Sequence, residues 1–311
     1  MFDTSTNIIQ EPYVVLISMP WTTLRQPSLG LALLCANLRS QGISCRVFHA
    51  NLLLLKYLTA ETYFVISRLI ACNEFLFTAI IDLDPDQEQL EAMLQQCRLI
   101  CAADKSSRNY REPGELFELL MSLRSRIIPS FLGECAERIL SMQPTLAGFS
   151  CLFDQTIAAV ALAKLLKEAR PELPVVLGGY AVQHENGNQV LQAFPQIDAI
   201  ARGDGETVIA KLAWASVGGL SFDEIQGVTT RKNLDQWRIA TRADLREALP
   251  PDYSDWFSDL EALRATEKIS IMTEALPLES SRGCWWGEHS HCVFCGIDEE
   301  TMVYRSKPAE R

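Results

Sequence analysis

The chain has 311 residues, 48% of them hydrophobic and 22% charged, which suits a globular protein of about two domains and excludes disordered and fibrous classes. Its net charge of −11 argues against non-specific binding to nucleic acid or anionic membranes, and its apolar runs fall short of the ~20 residues that span a bilayer. The opening MFDTSTNIIQEP has no basic stretch followed by an apolar one, so the ten cysteines are expected in a reducing, cytoplasmic compartment, free, catalytic or metal-bound.

Tyr13–Ser18 (YVVLIS) is a short apolar run closed by Pro20, the pattern of a buried parallel strand. A loop rich in Thr, Pro and Ser leads to a helix over Leu29–Ser40 that stops at Gly42, and Ser44–His49 is the second strand. Strand, helix and strand in that order imply a crossover and a parallel sheet. From Asn51 to about Leu140 the spacing is helical, with little to suggest chemistry. Alternation then resumes with strands at Leu146–Cys151, Pro174–Leu177 and Ile197–Ala201, and helices at Gln155–Ala169, Asn188–Ala193 and Thr207–Ala215. The expected fold is α/β: a doubly wound, five-stranded parallel Rossmann-like sheet over residues 1–217, with a helical insertion at about 51–140. Residues 218–265 read as a hairpin (Gly227–Ile239, turning at Lys232-Asn233) and a Pro250-Pro251 linker. Residues 266–311 read as one strand, Lys268–Thr273, and a cysteine-rich loop.

Ligands of such sheets sit beyond the carboxyl ends of the strands. Four loops there have suitable chemistry: 20–30, 150–155, 178–184 and 202–206. Their glycines let backbone approach a bulky or phosphorylated ligand, and the amides of Gly203-Asp204-Gly205 could cap a phosphate. Each pair taken alone is equally an ordinary tight turn. A dinucleotide fingerprint should follow the first strand, where MPWTTLRQPSLG stands instead, so a simple NAD enzyme is not expected.

The strongest chemical signal is Cys284-Trp-Trp-Gly-Glu-His-Ser-His-Cys292-Val-Phe-Cys295, three of the ten cysteines in a C-x7-C-x2-C arrangement. A C-x2-C pair brings both thiolates within reach of one metal centre. Three readings compete. Three thiolates on a four-iron cluster would leave one iron open; structural zinc could take His289 or His291 as fourth ligand; or the thiols form a disulfide or take no part.

The loop entered through Leu278-Glu-Ser-Ser-Arg-Gly-Cys284 and closing on Phe294-Cys295 resembles the radical S-adenosylmethionine (SAM) superfamily. Its seven-residue spacing departs from the commonest spacing there and is similar to the subgroup called RiPP maturation radical SAM protein 1, which acts on ribosomally made peptides. Pro27-Ser-Leu-Gly30-Leu-Ala, Gly148-Phe-Ser150, Val176-Leu-Gly-Gly179 and Arg202-Gly-Asp-Gly-Glu206 look like the loops of the cobalamin-binding domain that precedes many radical SAM barrels. Gln226-Gly227-Val228 and Pro250-Pro-Asp-Tyr253 resemble that family's connectors. The resemblance implies that Cys284, Cys292 and Cys295 hold a [4Fe–4S] cluster whose open iron binds S-adenosylmethionine. It implies cobalamin on the sheet, with Ser150, Gly178, Gly179, Tyr180, Gly203, Asp204, Gly205 and Glu206 as binding residues. The implied reaction is C-methylation of a precursor peptide through a 5′-deoxyadenosyl radical and methylcobalamin, fed by a reducing electron donor.

No Asp-x-His-x-x-Gly supplies a lower ligand to cobalt, and His49 is the one histidine expected near the ligand-facing edge. A radical SAM barrel takes on the order of 200 residues, whereas sixteen follow Cys295. The chain is therefore expected to hold only the start of that barrel and to lack methyltransferase activity alone. The alternatives are a cobalamin-binding module with a vestigial cysteine tail, or a zinc-stabilised binding protein.

Overall fold

The first strand, β1 (Tyr13–Ser18), runs parallel to β2 (Ser44–His49) on one side and to β3 (Leu146–Ser150) on the other. Beyond β3 lie β4 (Val175–Gly178) and β5 (Ala199–Ala201), both parallel, and then β6 (Val228–Thr229), which is antiparallel. The sheet order β2-β1-β3-β4-β5-β6 reverses between β1 and β3, so a crevice opens beyond the carboxyl ends of those two strands. This computed structural model describes residues 11–70, 72–103, 112–234, 242–267, 271–297 and 302–310.

Helix α1 (Leu29–Ser40) starts where the Ser28 hydroxyl accepts from the Leu31 amide at 3.4 Å. It ends where Gly42, at φ 74°, lets its own amide and that of Ile43 reach back to Arg39 and Leu38. The insertion is α2 (Ala50–Leu53), α3 (Ala60–Ser67), α4 (Cys72–Phe75), α5 (Gln87–Ala103), α6 (Pro113–Ser122) and α7 (Ile128–Ser141). The remaining helices are α8 (Thr156–Ala169), α9 (His184–Ala193), α10 (Ile209–Ala215) and α11 (Ser254–Glu267). No helix among the described residues is long and apolar enough to cross a membrane.

Strand alternation divides the interior in two. Val15, Ile17, Ala147, Phe149, Val175 and Leu177 face the larger core, which takes in α7, α8, the insertion and Trp256 of α11. Val14, Leu16, Leu146, Val176 and Ala199 face the smaller one, against α1 and α10.

One expectation needs correction, and two others fall partly outside the described residues. The sheet has six strands, not five, because Val228–Thr229 pairs with Ala201 and Ile200 instead of opening a separate hairpin. The expected turn at Lys232-Asn233 is held by the Asn233 side chain, which accepts from the Thr230 amide at 2.7 Å; the second arm falls on 235–239, outside the described residues. For the expected strand Lys268–Thr273, residues 268–270 also lie outside the described residues, and Ile271–Thr273 have no ladder partner.

His49, expected near the ligand edge, is buried and turned away from it. Its Nδ1 lies 2.8 Å from an Asp259 carboxylate oxygen, and its ring meets Trp256 edge-on at 5.2 Å. The same helix supplies Asp255, which accepts from the Val47 amide on the outer side of β2 at 2.7 Å, while Arg39 donates to the Cys45 carbonyl at 3.0 Å.

Candidate functional site: a hollow at the switch point under a cysteine loop

The smaller core is not full. Leu16, Gly148 and Val176 stand side by side across β1, β3 and β4, and the missing side chain at Gly148 leaves a dip between two apolar neighbours. A Cβ there would lie 3.0 Å from Leu16 Cδ2. Leu34 of α1 and Ile209 and Leu212 of α10 form the walls, and Glu279 and Arg282 reach the mouth. The result is a largely apolar cavity of about 370 Å³ with a charged rim, within the range of small-molecule sites.

Seven of the eight sheet residues singled out from sequence line this cavity: Ser150, Gly178, Gly179, Gly203, Asp204, Gly205 and Glu206. Tyr180 does not. Its ring is exposed, stands 5.8 Å from that of Phe153, and its hydroxyl donates to the Gly296 carbonyl in the cysteine loop. Gly179 is set by local packing: at φ 100°, a Cβ would sit 2.5 Å from the Cys151 carbonyl oxygen.

The Gly203-Asp204-Gly205 turn, whose amides could cap a phosphate, is partly tied down within the chain. The Gly203 amide donates to Gln183, and the Thr207 and Val208 amides donate to the Asp204 and Gly205 carbonyls. Arg202, from the same motif, is buried with its guanidinium on the carbonyls of Val182 and His184 and the side chains of Asn188 and Thr229. Desolvation lowers its pKa to about 10.

The acidic side chains of this turn are also committed. Arg282 pairs with Glu206, with Asp204 at 3.1 Å and with Glu279 at 2.6 Å. Arg305 reaches Asp204 at 2.7 Å. Arg282 and Arg305 are register partners in a two-stranded ribbon, β7 (Ser281–Arg282) and β8 (Arg305–Ser306). Burial alone would raise the Asp204 pKa; the Arg305 hydrogen bond and the Arg282 charge outweigh it and hold the carboxyl below its ordinary range.

Cys284, Cys292 and Cys295 are half-exposed, whereas Cys35, Cys45, Cys72, Cys97, Cys101, Cys135 and Cys151 are all buried. Burial pushes the thiols of Cys72, Cys97, Cys135 and Cys151 up, Cys97 to about 12, so these stay protonated and inert. Gly283 starts the loop at φ 80°, where a Cβ would collide with the Val303 carbonyl. No three Cys, His, Asp or Glu side chains among the described residues are grouped to hold a metal ion. Trp285, Trp286, Val293 and Phe294 are exposed beside the thiols.

Sequence reasoning passed over Leu16, Leu34, Ile209 and Leu212 as cavity walls, and Arg282 as the rim. The walls look like any core residue. Arg282 had a readable signal, a cation two residues before Cys284, but beyond nearby Glu279 its partner Glu206 lies 76 residues upstream.

No family model matches the chain. It is 27% identical over 143 residues to an anaerobic magnesium-protoporphyrin IX monomethyl ester cyclase of Synechocystis, covering 43% of this chain and 25% of that protein. It is 34% identical over 83 residues to a cyclase of the same name from Rubrivivax gelatinosus, covering 25% of this chain and 14% of that protein. The chain thus spans a quarter or less of the length of these curated relatives. Among solved structures it is similar to the cobalamin-dependent S-adenosylmethionine radical enzyme OxsB, at a TM-score of 0.55 and 16% identity, over 97% of this chain and 30% of that one. A structure of the radical S-adenosylmethionine methyltransferase TsrM from Kitasatospora setae, with cobalamin and a [4Fe–4S] cluster bound, aligns over 75% of this chain and 31% of that one at a TM-score of 0.37 and 12% identity. The likeness to OxsB establishes the architecture: a mixed α/β fold built on a six-stranded, mostly parallel sheet.

Proposed function

We propose that this chain carries the cobalamin-holding sheet and the cluster-bearing loop of a cobalamin-dependent radical S-adenosylmethionine enzyme that C-methylates a ribosomally made peptide. One observation carries the reading. The hollow at the switch point is rimmed by Arg282, two residues before the only stretch of the described chain in which cysteines escape burial.

The residues suit a corrinoid. Leu16, Gly148 and Val176 offer an apolar floor for part of such a ligand, and the strand-end glycines Gly178 and Gly179 leave room at its edge. Among the described residues no histidine lines the cavity, and His49 pairs with Asp259. The three half-exposed thiols are the right donors for three irons of a [4Fe–4S] cluster, and the loop would close around them as metal loads. When bound, the cluster supplies the electron that cleaves S-adenosylmethionine, and cobalamin the methyl group, with a reducing donor restoring the cluster. Trp285, Val293 and Phe294 would hold the peptide side chain and exclude water beside the thiols. The seven-residue spacing between Cys284 and Cys292 supports the peptide-modifying subgroup.

A second reading, a cobalamin-binding module whose cysteine loop takes no metal, is favoured by the absence of a grouped ligand set among the described residues. Anaerobic reconstitution with iron and sulfide separates the two. The first reading expects a brown protein with charge-transfer absorption, bleached by Cys292→Ala; a colourless protein favours the second, and stoichiometric zinc removes the cluster assignment. Titration with hydroxocobalamin tests the sheet, and loss of the corrinoid on gel filtration removes both readings. In the native apoprotein we expect a thiol reagent to label three of the ten cysteines and to reach the seven buried ones only on unfolding.

A further inference from the structure

The cysteine loop is tied to the sheet at both ends, and the two ties run to different strand-end loops. At its start, Arg282 is clasped by Glu206 and Asp204 of the turn after β5, with Glu279 completing the pocket around the guanidinium. All four side chains are largely buried, so this clasp is shielded from solvent in a way that surface pairs are not. At its end, the Gly296 carbonyl, next to Cys295, accepts from the hydroxyl of Tyr180 in the loop after β4. Upstream, Glu274 pairs with Arg25 after β1, and its amide donates to the Arg25 carbonyl at 2.9 Å.

The anchoring loops also build the cavity. Gly178 and Gly179 precede Tyr180, Gly203 and Gly205 flank Asp204, and all four glycines line the hollow. A ligand filling the hollow presses on the loops that hold both ends of the cysteine segment. A metal that draws the thiols together pulls, through Arg282 and Gly296, on the loops that grip the ligand.

Resting on the function proposed above, we infer that Tyr180, Asp204 and Glu206 are positioning residues whose ties link occupancy of the sheet cavity to metal loading of the cysteine loop, each favouring the other. The resemblance gave these three residues as cofactor-binding; here their side chains are assigned to holding the loop instead. Linkage is reciprocal: the factor by which the cluster tightens corrinoid binding is the factor by which the corrinoid tightens the cluster.

The test measures that factor. Hydroxocobalamin is titrated by absorbance into the full chain, before and after anaerobic reconstitution with iron and sulfide, in the wild type, Tyr180→Phe, Glu206→Gln and the double variant. Iron loss to a chelator is followed with and without hydroxocobalamin. In the wild type, reconstitution should tighten hydroxocobalamin by about 5-fold or more, the lower end of ordinary coupling, and the corrinoid should slow iron loss. Each single variant should still take up iron and hydroxocobalamin but show a smaller factor, and the double variant a factor near one. A factor of one in the wild type, or the same factor in the wild type and the double variant, overturns the linkage. Tyr180→Phe removes one exposed hydroxyl and keeps the ring, so it decides the matter even where Glu206→Gln fails to fold. Should the wild type retain no hydroxocobalamin or form no iron–sulfur chromophore, the function proposed above fails first, a result distinct from a measured factor of one.

Discussion

The two faces of the sheet are made by the same strands and do opposite work. Phe149 and Ile17 point into the core under the insertion, among fully buried side chains such as Phe77, Phe131 and Leu132. One residue earlier on each strand, Gly148 and Leu16 point into the layer under α1 and α10, and there the missing side chain leaves a hollow. A strand carries both instructions because its side chains alternate. The larger core and the hollow are thus divided between odd and even positions of β1 and β3.

Substitutions can break that division. The largest effect is expected from Phe131→Ala on the filled side. This ring is fully buried in α7 against Tyr57, and its loss should cost about 3–5 kcal/mol in denaturant melts. Hydroxocobalamin binding by the remaining folded protein should be unchanged; a binding loss matching the stability loss would show that the faces are not separable. Next comes Gly148→Leu on the hollow side. The backbone there is ordinary extended strand, so the new side chain should occupy the cavity and weaken hydroxocobalamin at least ~30-fold, roughly 2 kcal/mol. Its melting temperature should move far less than that of Phe131→Ala, and wild-type affinity in this variant would place the ligand elsewhere.

The smallest effect concerns acid. Partial burial alone would raise the Glu134 pKa, but hydrogen bonds from Lys56, Tyr57 and Arg138 outweigh it and bring it to about 2. The folded value lies below the unfolded one, so this stabilisation is whole above about pH 4.5 and fades as pH falls toward 2. Discounted for solvent screening, it is about 1 kcal/mol. Glu134→Gln should therefore melt earlier than wild type at pH 7 and converge with it near pH 2. A gap independent of pH would assign the loss to packing.

How far the sequence discloses this molecule depends on how local each feature is. Tyr13–Ser18, Leu29–Ser40 and Ser44–His49 are found where expected, because continuous apolar runs, helical spacing and a Gly42 stop are written within a few neighbouring residues. The strand at Val228–Thr229 is two residues long, too short for any period to register, and exists only because β5 is there to receive it. Seven of the eight sheet residues line the hollow: four are strand-end glycines, which mark close approach, while Ser150, Asp204 and Glu206 came from the family resemblance of their loops. The hollow itself depends on Leu16, Gly148 and Val176 falling in register across three strands, which no stretch of sequence states. The ion pairs of Asp204 and Glu206 were out of reach for the same reason: their cations come from Arg282 and Arg305, far along the chain.

The outer side of β2 has one more consequence. An uncovered edge strand offers unpaired amides and carbonyls to any passing chain, and so invites stacking into aggregates. Here Asp255 takes the Val47 amide and Arg39 the Cys45 carbonyl, with α11 laid along that side. At the opposite margin the described strand is two residues long. With one margin capped and the other too short to template a neighbour, the sheet is closed to lateral growth.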